Sequence, residues 1–180
     1  MRILPQDTMA IAVDYQERLI PAMHEKEILI KNSNLLLSGL KMLDIPVIVS
    51  RQYPEGLGDT VVELNQAVEG FPVYDKTSFS CYDEKSIKEV IDGYDRKTVI
   101  MCGVEAHICV LQTLIDLQAG GFQTIMVSDC VGSRQKRDTK MGLKRALSEG
   151  ALPATYESLL FELTRNSKNP RFKAISKLVK

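Results

Sequence analysis

The feature that most constrains this chain is an alternation between short, unbroken apolar runs and stretches with helical spacing. Apolar runs occupy residues 9–13, 47–50, 98–101 and 123–128, with shorter ones at 71–74 and 152–154. A strand with one wet face reads as alternating apolar and polar residues. A run that is apolar throughout is a strand covered on both faces. Between the first two runs, Ile28, Leu29, Leu35, Leu36, Leu40 and Leu43 recur at the period of a helix spanning about 24–43. Shorter helices are expected over 60–66, 83–91, 109–119, 137–148, 158–163 and 170–180. Gly120 and Gly121 close the third of these, and Pro170 can open the last. Strands that alternate with helices and are buried on both faces imply an α/β fold. The expected form is a Rossmann-like, three-layer αβα sandwich around a mostly parallel sheet of about six strands.

The chain has 180 residues, with no internal repeat, no low-complexity segment and no linker, so residues 1–180 read as one domain. Its 23 basic and 23 acidic residues give a formal net charge of zero, which leaves no footprint for nucleic acid or an anionic membrane. Residues 1–7 lack the apolar core of a secretory signal, and no apolar run approaches the roughly 20 residues of a membrane span. A cytoplasmic location is expected. The four cysteines, Cys81, Cys102, Cys109 and Cys130, contain no Cys-x-x-Cys pair and have only His24 and His107 beside them. That spacing is too open for structural zinc, and all four are expected reduced. Cys102 and Cys130 fall in or beside apolar runs and read as small core residues.

Cys109 stands apart. The run at 98–101 breaks at Gly103, and helical spacing resumes with Val110, Leu111, Leu114 and Ile115. A strand that turns through glycine into a helix presents the turn at the carboxyl edge of the sheet. In an open parallel sheet, ligands bind at that edge. Cys109 lies at the helix start, where unpaired N–H groups and the positive dipole end favour a thiolate. Asp14 and Lys76 fall at two other strand ends. Taken singly, a strand-end Asp or Lys reads equally as a cap or a solvated charge. Together the three supply a nucleophile, a base and a controlling charge.

Three segments carry a resemblance. They are Ala12-Val13-Asp14-Tyr15-Gln16, Asp75-Lys76-Thr77-Ser78-Phe79-Ser80 and Gly103-Val104-Glu105-Ala106-His107-Ile108-Cys109-Val110. Their order and spacing resemble the isochorismatase-like cysteine hydrolases, relatives of nicotinamidases and N-carbamoylsarcosine amidases. The branch most similar is that of the isochorismatase-domain-containing proteins, which carry a loop like residues 51–58. The resemblance implies Cys109 as nucleophile, Asp14 as the group that accepts and returns its proton, and Lys76 as the charge bridging them. It also implies a cis peptide at Val104–Glu105 and an oxyanion hole from the N–H groups of Glu105 and Cys109. Nicotinamidases carry an Asp-x-His metal cluster after the second strand, where this chain has Gln52-Tyr53-Pro54. No metal and no other cofactor is therefore expected, and nicotinamide is not the expected substrate. Isochorismatases proper lack the nucleophilic cysteine, so retaining Cys109 implies acyl chemistry rather than vinyl-ether hydrolysis.

The expected activity is metal-independent hydrolysis of a small amide or related carbonyl compound through a Cys109 thioester. Two alternatives stay open: a binding or scaffold member of the fold without turnover, and a protein whose Cys109 mainly meets oxidants. Tyr15, Gln16, Tyr53, Phe79 and His107 sit beside the three segments as candidate substrate-pocket residues; each also reads as ordinary packing or capping. The expected partners are a small-molecule substrate and further copies of the chain, a dimer or larger, since that family often assembles. Neither nucleic acid nor membrane is expected as a partner.

Overall fold

A computed structural model describes residues 2–180. Six strands form one sheet: β1 (Thr8–Val13), β2 (Val47–Gln52), β3 (Val73–Lys76), β4 (Thr98–Val104), β5 (Gln123–Gly132) and β6 (Leu152–Ala154). Their spatial order is β3-β2-β1-β4-β5-β6, and every pairing is parallel. The helices are α1 (Lys26–Met42), α2 (Pro54–Leu57), α3 (Asn65–Val68), α4 (Lys85–Gly93), α5 (Cys109–Ala119), α6 (Lys136–Ser148), α7 (Tyr156–Thr164) and α8 (Phe172–Leu178). This is the expected three-layer α/β architecture.

Successive strand residues point to opposite faces, and two separate cores result. Ala10, Ala12, Val47, Val49, Ile100 and Cys102 pack under α1, α7 and α8, through Leu36, Leu40, Leu160 and Ile175. Met9, Ile11, Val13, Ile48, Val99 and Met101 pack under α4, α5 and α6, through Ile87, Leu114 and Ala146. Both faces of β1 and β4 are fully buried, which is why their sequences are apolar without alternation.

Local differences from the sequence reading have simple causes. The segment expected to be a helix at 60–66 is a 3₁₀ turn (Val62–Leu64) running into the single turn of α3. β3 is shifted two residues toward the C-terminus, so Lys76 is its last residue rather than part of the loop beyond it. β5 continues through Asp129 and Cys130, because its register against β4 jumps from Met101↔Met126 to Gly103↔Val131. Five residues of β5 thus advance against two of β4, a bulge that pure periodicity cannot show. Among the described residues, no helix is long and apolar enough to cross a membrane.

The chain leaves β1 toward β2 and β3, then returns to the other side of β1 as β4. The connections leaving the carboxyl ends of β1 and β4 therefore run in opposite directions, the switch point where a parallel sheet opens a crevice. Gly103 fits β4 to that point. Its φ is 123°, and a Cβ there would overlap the Val13 carbonyl oxygen on β1. Gly103→Ala is expected to destabilise the protein by about 3 kcal/mol, from backbone strain plus overpacking. Urea denaturation measures this, and an unchanged midpoint would contradict the close-approach account.

Candidate active site

Asp14 follows directly on β1 and turns the chain with a left-handed φ of 52°, a conformation that Asp tolerates better than most residues. It is fully buried, and both carboxylate oxygens are occupied. Ser50 Oγ, at the carboxyl end of β2, donates to Oδ1 at 2.7 Å. Lys76 Nζ donates to Oδ2 at 2.8 Å. The Asp14 N–H in turn donates to the Ser50 carbonyl at 3.2 Å.

Lys76 ends β3 with its side chain wholly out of solvent. Besides Asp14, its ammonium donates to Gln52 Oε1 at 2.6 Å and to the carbonyls of Ser78 and Phe79 at 3.2 and 3.1 Å. Burial works against the charge, but Asp14 and then the Cys81 and Cys109 sulfurs outweigh it, so the Lys76 pKa is raised. The lysine is a fixed cation, not a base.

Cys109 is the first residue of α5 and is 8% exposed. Its carbonyl accepts from Thr113 Oγ1 at 2.7 Å, and that hydroxyl accepts from the Cys81 N–H at 2.8 Å. Burial pushes the Cys109 thiol up to about 12. The Asp14 charge adds to this, Lys76 opposes it, and a hydrogen bond with the Asp14 carboxylate adds further. This corrects the sequence reading of a ready thiolate. A helix start offers partial charges, whereas this sulfur is desolvated beside a full negative charge. The resting cysteine is a protonated thiol beside a carboxylate.

The peptide bond Val104–Glu105 is cis. Ala106 N–H donates to Gly132 O at 2.7 Å, and those of Ile108 and Val110 donate to Glu105 O at 3.0 and 3.3 Å. Among the described residues of this turn, the Glu105, His107 and Cys109 N–H groups have no backbone acceptor. The Glu105 carboxylate is occupied elsewhere, accepting from the Arg134 N–H and Nε at 3.1 Å each.

The candidate pocket residues divide. Tyr15 does not line the site. It is fully buried in the opposite core, its hydroxyl bonded to Ser33 Oγ at 2.7 Å and Cys130 O at 2.8 Å. Gln16 is also buried, and its amide is spent on backbone. Nε2 donates to Gln52 O and Gly58 O, and Oε1 accepts from Gln52 N–H. It behaves as an extra peptide group joining the tips of β1 and β2. His107 is half-buried, with Nδ1 2.9 Å from Ser133 Oγ. Tyr53 and Phe79 are each 55% exposed, on the loops after β2 and β3. A cleft of about 180 Å³ opens onto Lys76, lined by Tyr53, Pro54, Glu55, Asp75, Thr77 and Glu84. Two larger grooves, of about 500 and 420 Å³, lie along α1 and are lined by neither Asp14 nor Cys109.

Sequence reasoning missed Ser50, Gln52 and Thr113. Ser50 carried the same signal as Asp14, a polar residue closing an apolar run. Gln52 ends β2 and Thr113 sits within α5, and the partners that give them a role, Lys76 and Cys81, lie far along the chain.

All four thiols and Lys76 have raised values, so their linkage to stability has one sign. Folded thiols keep their protons where unfolded ones, with an ordinary value of 9.0, have lost them. Stability is expected to be fully present below about pH 9 and to fall as the pH rises toward about 12. Urea melts at stepped pH measure this, and a flat alkaline limb would contradict the buried-thiol picture.

Comparison with known proteins identifies the family and the fold. The isochorismatase domain model matches residues 8–158. The secreted isochorismatase effector Isc1 of Phytophthora sojae is 36% identical over 183 residues, covering 99% of this chain and 87% of that protein. The MAR1 ribonuclease structure from Caenorhabditis elegans superposes with a TM-score of 0.93 at 34% identity, covering 99% and 92% of the two chains. The YcaC gene product of Escherichia coli, described as an octameric hydrolase of unknown specificity, also gives a TM-score of 0.93, at 21% identity and 99% and 89% coverage. At that identity the likeness is one of fold. With its family model spanning most of the sheet and a relative aligned over nearly its whole length, this chain belongs to the isochorismatase family.

Proposed function

We propose that the protein is a metal-independent cysteine hydrolase that cleaves a small amide or related C–N carbonyl compound. The observation that carries this reading is the buried Asp14 carboxylate, held by Lys76 at 2.8 Å and close enough to the Cys109 thiol to raise it. Asp14 takes the thiol proton as Cys109 Sγ attacks the carbonyl carbon. The oxyanion forms against the Glu105 and Cys109 N–H groups, which have no backbone acceptor of their own. Collapse breaks the C–N bond, and Asp14 passes its proton to the departing amine, leaving a thioester on Cys109. Asp14 then draws a proton from water, hydroxide displaces the thiolate as the acid, and the proton returns to sulfur. Lys76 stays charged throughout.

The ribonuclease name of the C. elegans protein is not extended to this chain. A formal net charge of zero and a buried carboxylate–ammonium pair favour acyl transfer over grip on a phosphate backbone. The oxidant-sensing alternative is disfavoured by a thiol that rests protonated. Assembly into homo-oligomers is part of the same proposal. It is supported by exposed Ile28, Val62 and Met141 and by the octamer named for the E. coli neighbour.

A panel of small amides and esters tests the reaction. Wild-type turnover is expected on part of the panel. It should be lost in Cys109→Ser and reduced about 10²- to 10⁴-fold in Asp14→Asn. Turnover that survives Cys109→Ser would place the chemistry elsewhere. No turnover by the wild type, with a protein partner retained on the immobilised chain, would favour the scaffold reading.

A further inference from the structure

Ser50 is the last fully buried residue of β2, paired in register with Val13 one residue before the proposed base. Nothing about packing requires a hydroxyl there. Its neighbours Ile48 and Val49 are apolar core, and a buried hydroxyl is costly unless it is bonded. Its bond goes to Asp14 Oδ1 at 2.7 Å, while its carbonyl receives the Asp14 N–H at 3.2 Å. Ser50 therefore grips Asp14 at main chain and side chain together, across a residue whose left-handed φ leaves it otherwise poorly held.

We propose that Ser50 is the positioning residue of the site: its hydroxyl fixes the rotation of the Asp14 carboxylate, so that the carboxylate is aimed to take the Cys109 proton. The inference rests on the reading of Asp14 as that base. A carboxylate has about four lone-pair sites. Lys76 occupies one on Oδ2 and Ser50 one on Oδ1, so the carboxylate cannot swing about its own axis without breaking one bond or the other. The charged and titratable groups facing it are Lys76 from β3, Cys109 from α5 and Cys81 from the loop before α4. Of these, only the Lys76 ammonium is a full positive charge, and Cys81 is a buried thiol raised to about 11 that also meets Ser50. Removing the hydroxyl deletes one of two donors that stabilise the ionised carboxylate, and no other charged donor stands near to replace it. Without it the carboxylate is held at one oxygen alone and is free to turn away from the Cys109 thiol.

The reactivity of Cys109 toward iodoacetamide reads this without a known substrate. A thiol acting alone gains about tenfold in rate per pH unit up to its own titration. A thiol with a carboxylate base shows a plateau through neutral pH, bounded by an acid limb where the base becomes protonated. Peptide mass spectrometry would follow alkylation of Cys109 between pH 3.5 and 9, at pH values where each variant melts as a folded protein. The wild type is expected to show the plateau and limb. In Ser50→Ala the plateau rate should fall about tenfold. Ser50→Thr, which keeps the hydroxyl, should restore the wild-type rate. A merely structural Ser50 would lower the melting temperature in Ser50→Ala and leave the plateau rate in place; that result overturns the inference, as does a plateau lowered equally in both variants. Asp14→Asn separates the two levels of argument. If its profile still shows the plateau, the base reading itself fails. If the plateau is lost there while Ser50→Ala matches the wild type, only the role of Ser50 fails.

Discussion

The Lys76–Asp14 ion pair sets the terms for everything around it. Two full charges 2.8 Å apart, with neither side chain reaching solvent, have given up hydration worth several kcal/mol per ion. Such a pair persists only where other polar atoms replace the lost water. Here Ser50 supplies one donor, and Gln52, Ser78 and Phe79 supply three acceptors. These residues come from β2 and from the loop after β3, so the ends of three adjacent strands are committed to one electrostatic cluster. A buried pair of this kind is poor support for stability, since apolar residues of similar volume often do as well. Its position at the switch point between β1 and β4, rather than deep in either core, fits a functional reason for keeping it.

The surrounding packing serves the same cluster. Gly103 lets β4 run against the Val13 backbone immediately before Asp14. Across the turn, a Cβ at Gly142 would lie 2.7 Å from Ala106 O, so the bare backbone of α6 rests on residues 106–107. Arg134 holds the Glu105 side chain from outside. The turn carrying the Glu105 and Cys109 N–H groups is thus braced from β1, from α6 and from the loop after β5. Rigidity of that order matters for electrostatic catalysis, where donors must already point at the developing charge.

The strands were legible because burial on both faces forces apolar residues at every position, and the three strand-end polar residues then stood out by contrast. Ser50 was equally visible and went unread because serine also closes strands for no reason beyond size. Tyr15 was misplaced for a geometric reason: the positive φ at Asp14 redirects the chain, so strand alternation no longer predicts which core the next side chain enters. Gln16 resembled a pocket residue because its use, three hydrogen bonds to backbone near residues 52 and 58, is a property of where the chain returns in space. The thiolate expectation failed on magnitude. A helix start contributes roughly half a charge of stabilisation near its end. Desolvation and a whole neighbouring carboxylate act against it, and Lys76 offsets them only in part.

That failure reshapes the chemistry. With the thiol pushed up to about 12, transfer of its proton to Asp14 is uphill as long as the sulfur has nothing to attack. In the proposed reaction, proton transfer is therefore tied to carbon–sulfur bond formation, since only then does the negative charge leave sulfur for an oxygen facing the Glu105 and Cys109 N–H groups. Lys76 is suited to this arrangement by being saturated. With four acceptors around three donors it cannot follow the proton. In the proposed reaction the ammonium stays in place as the proton arrives on Asp14, beside a neutral acid whose next favourable step is to release that proton to the leaving amine.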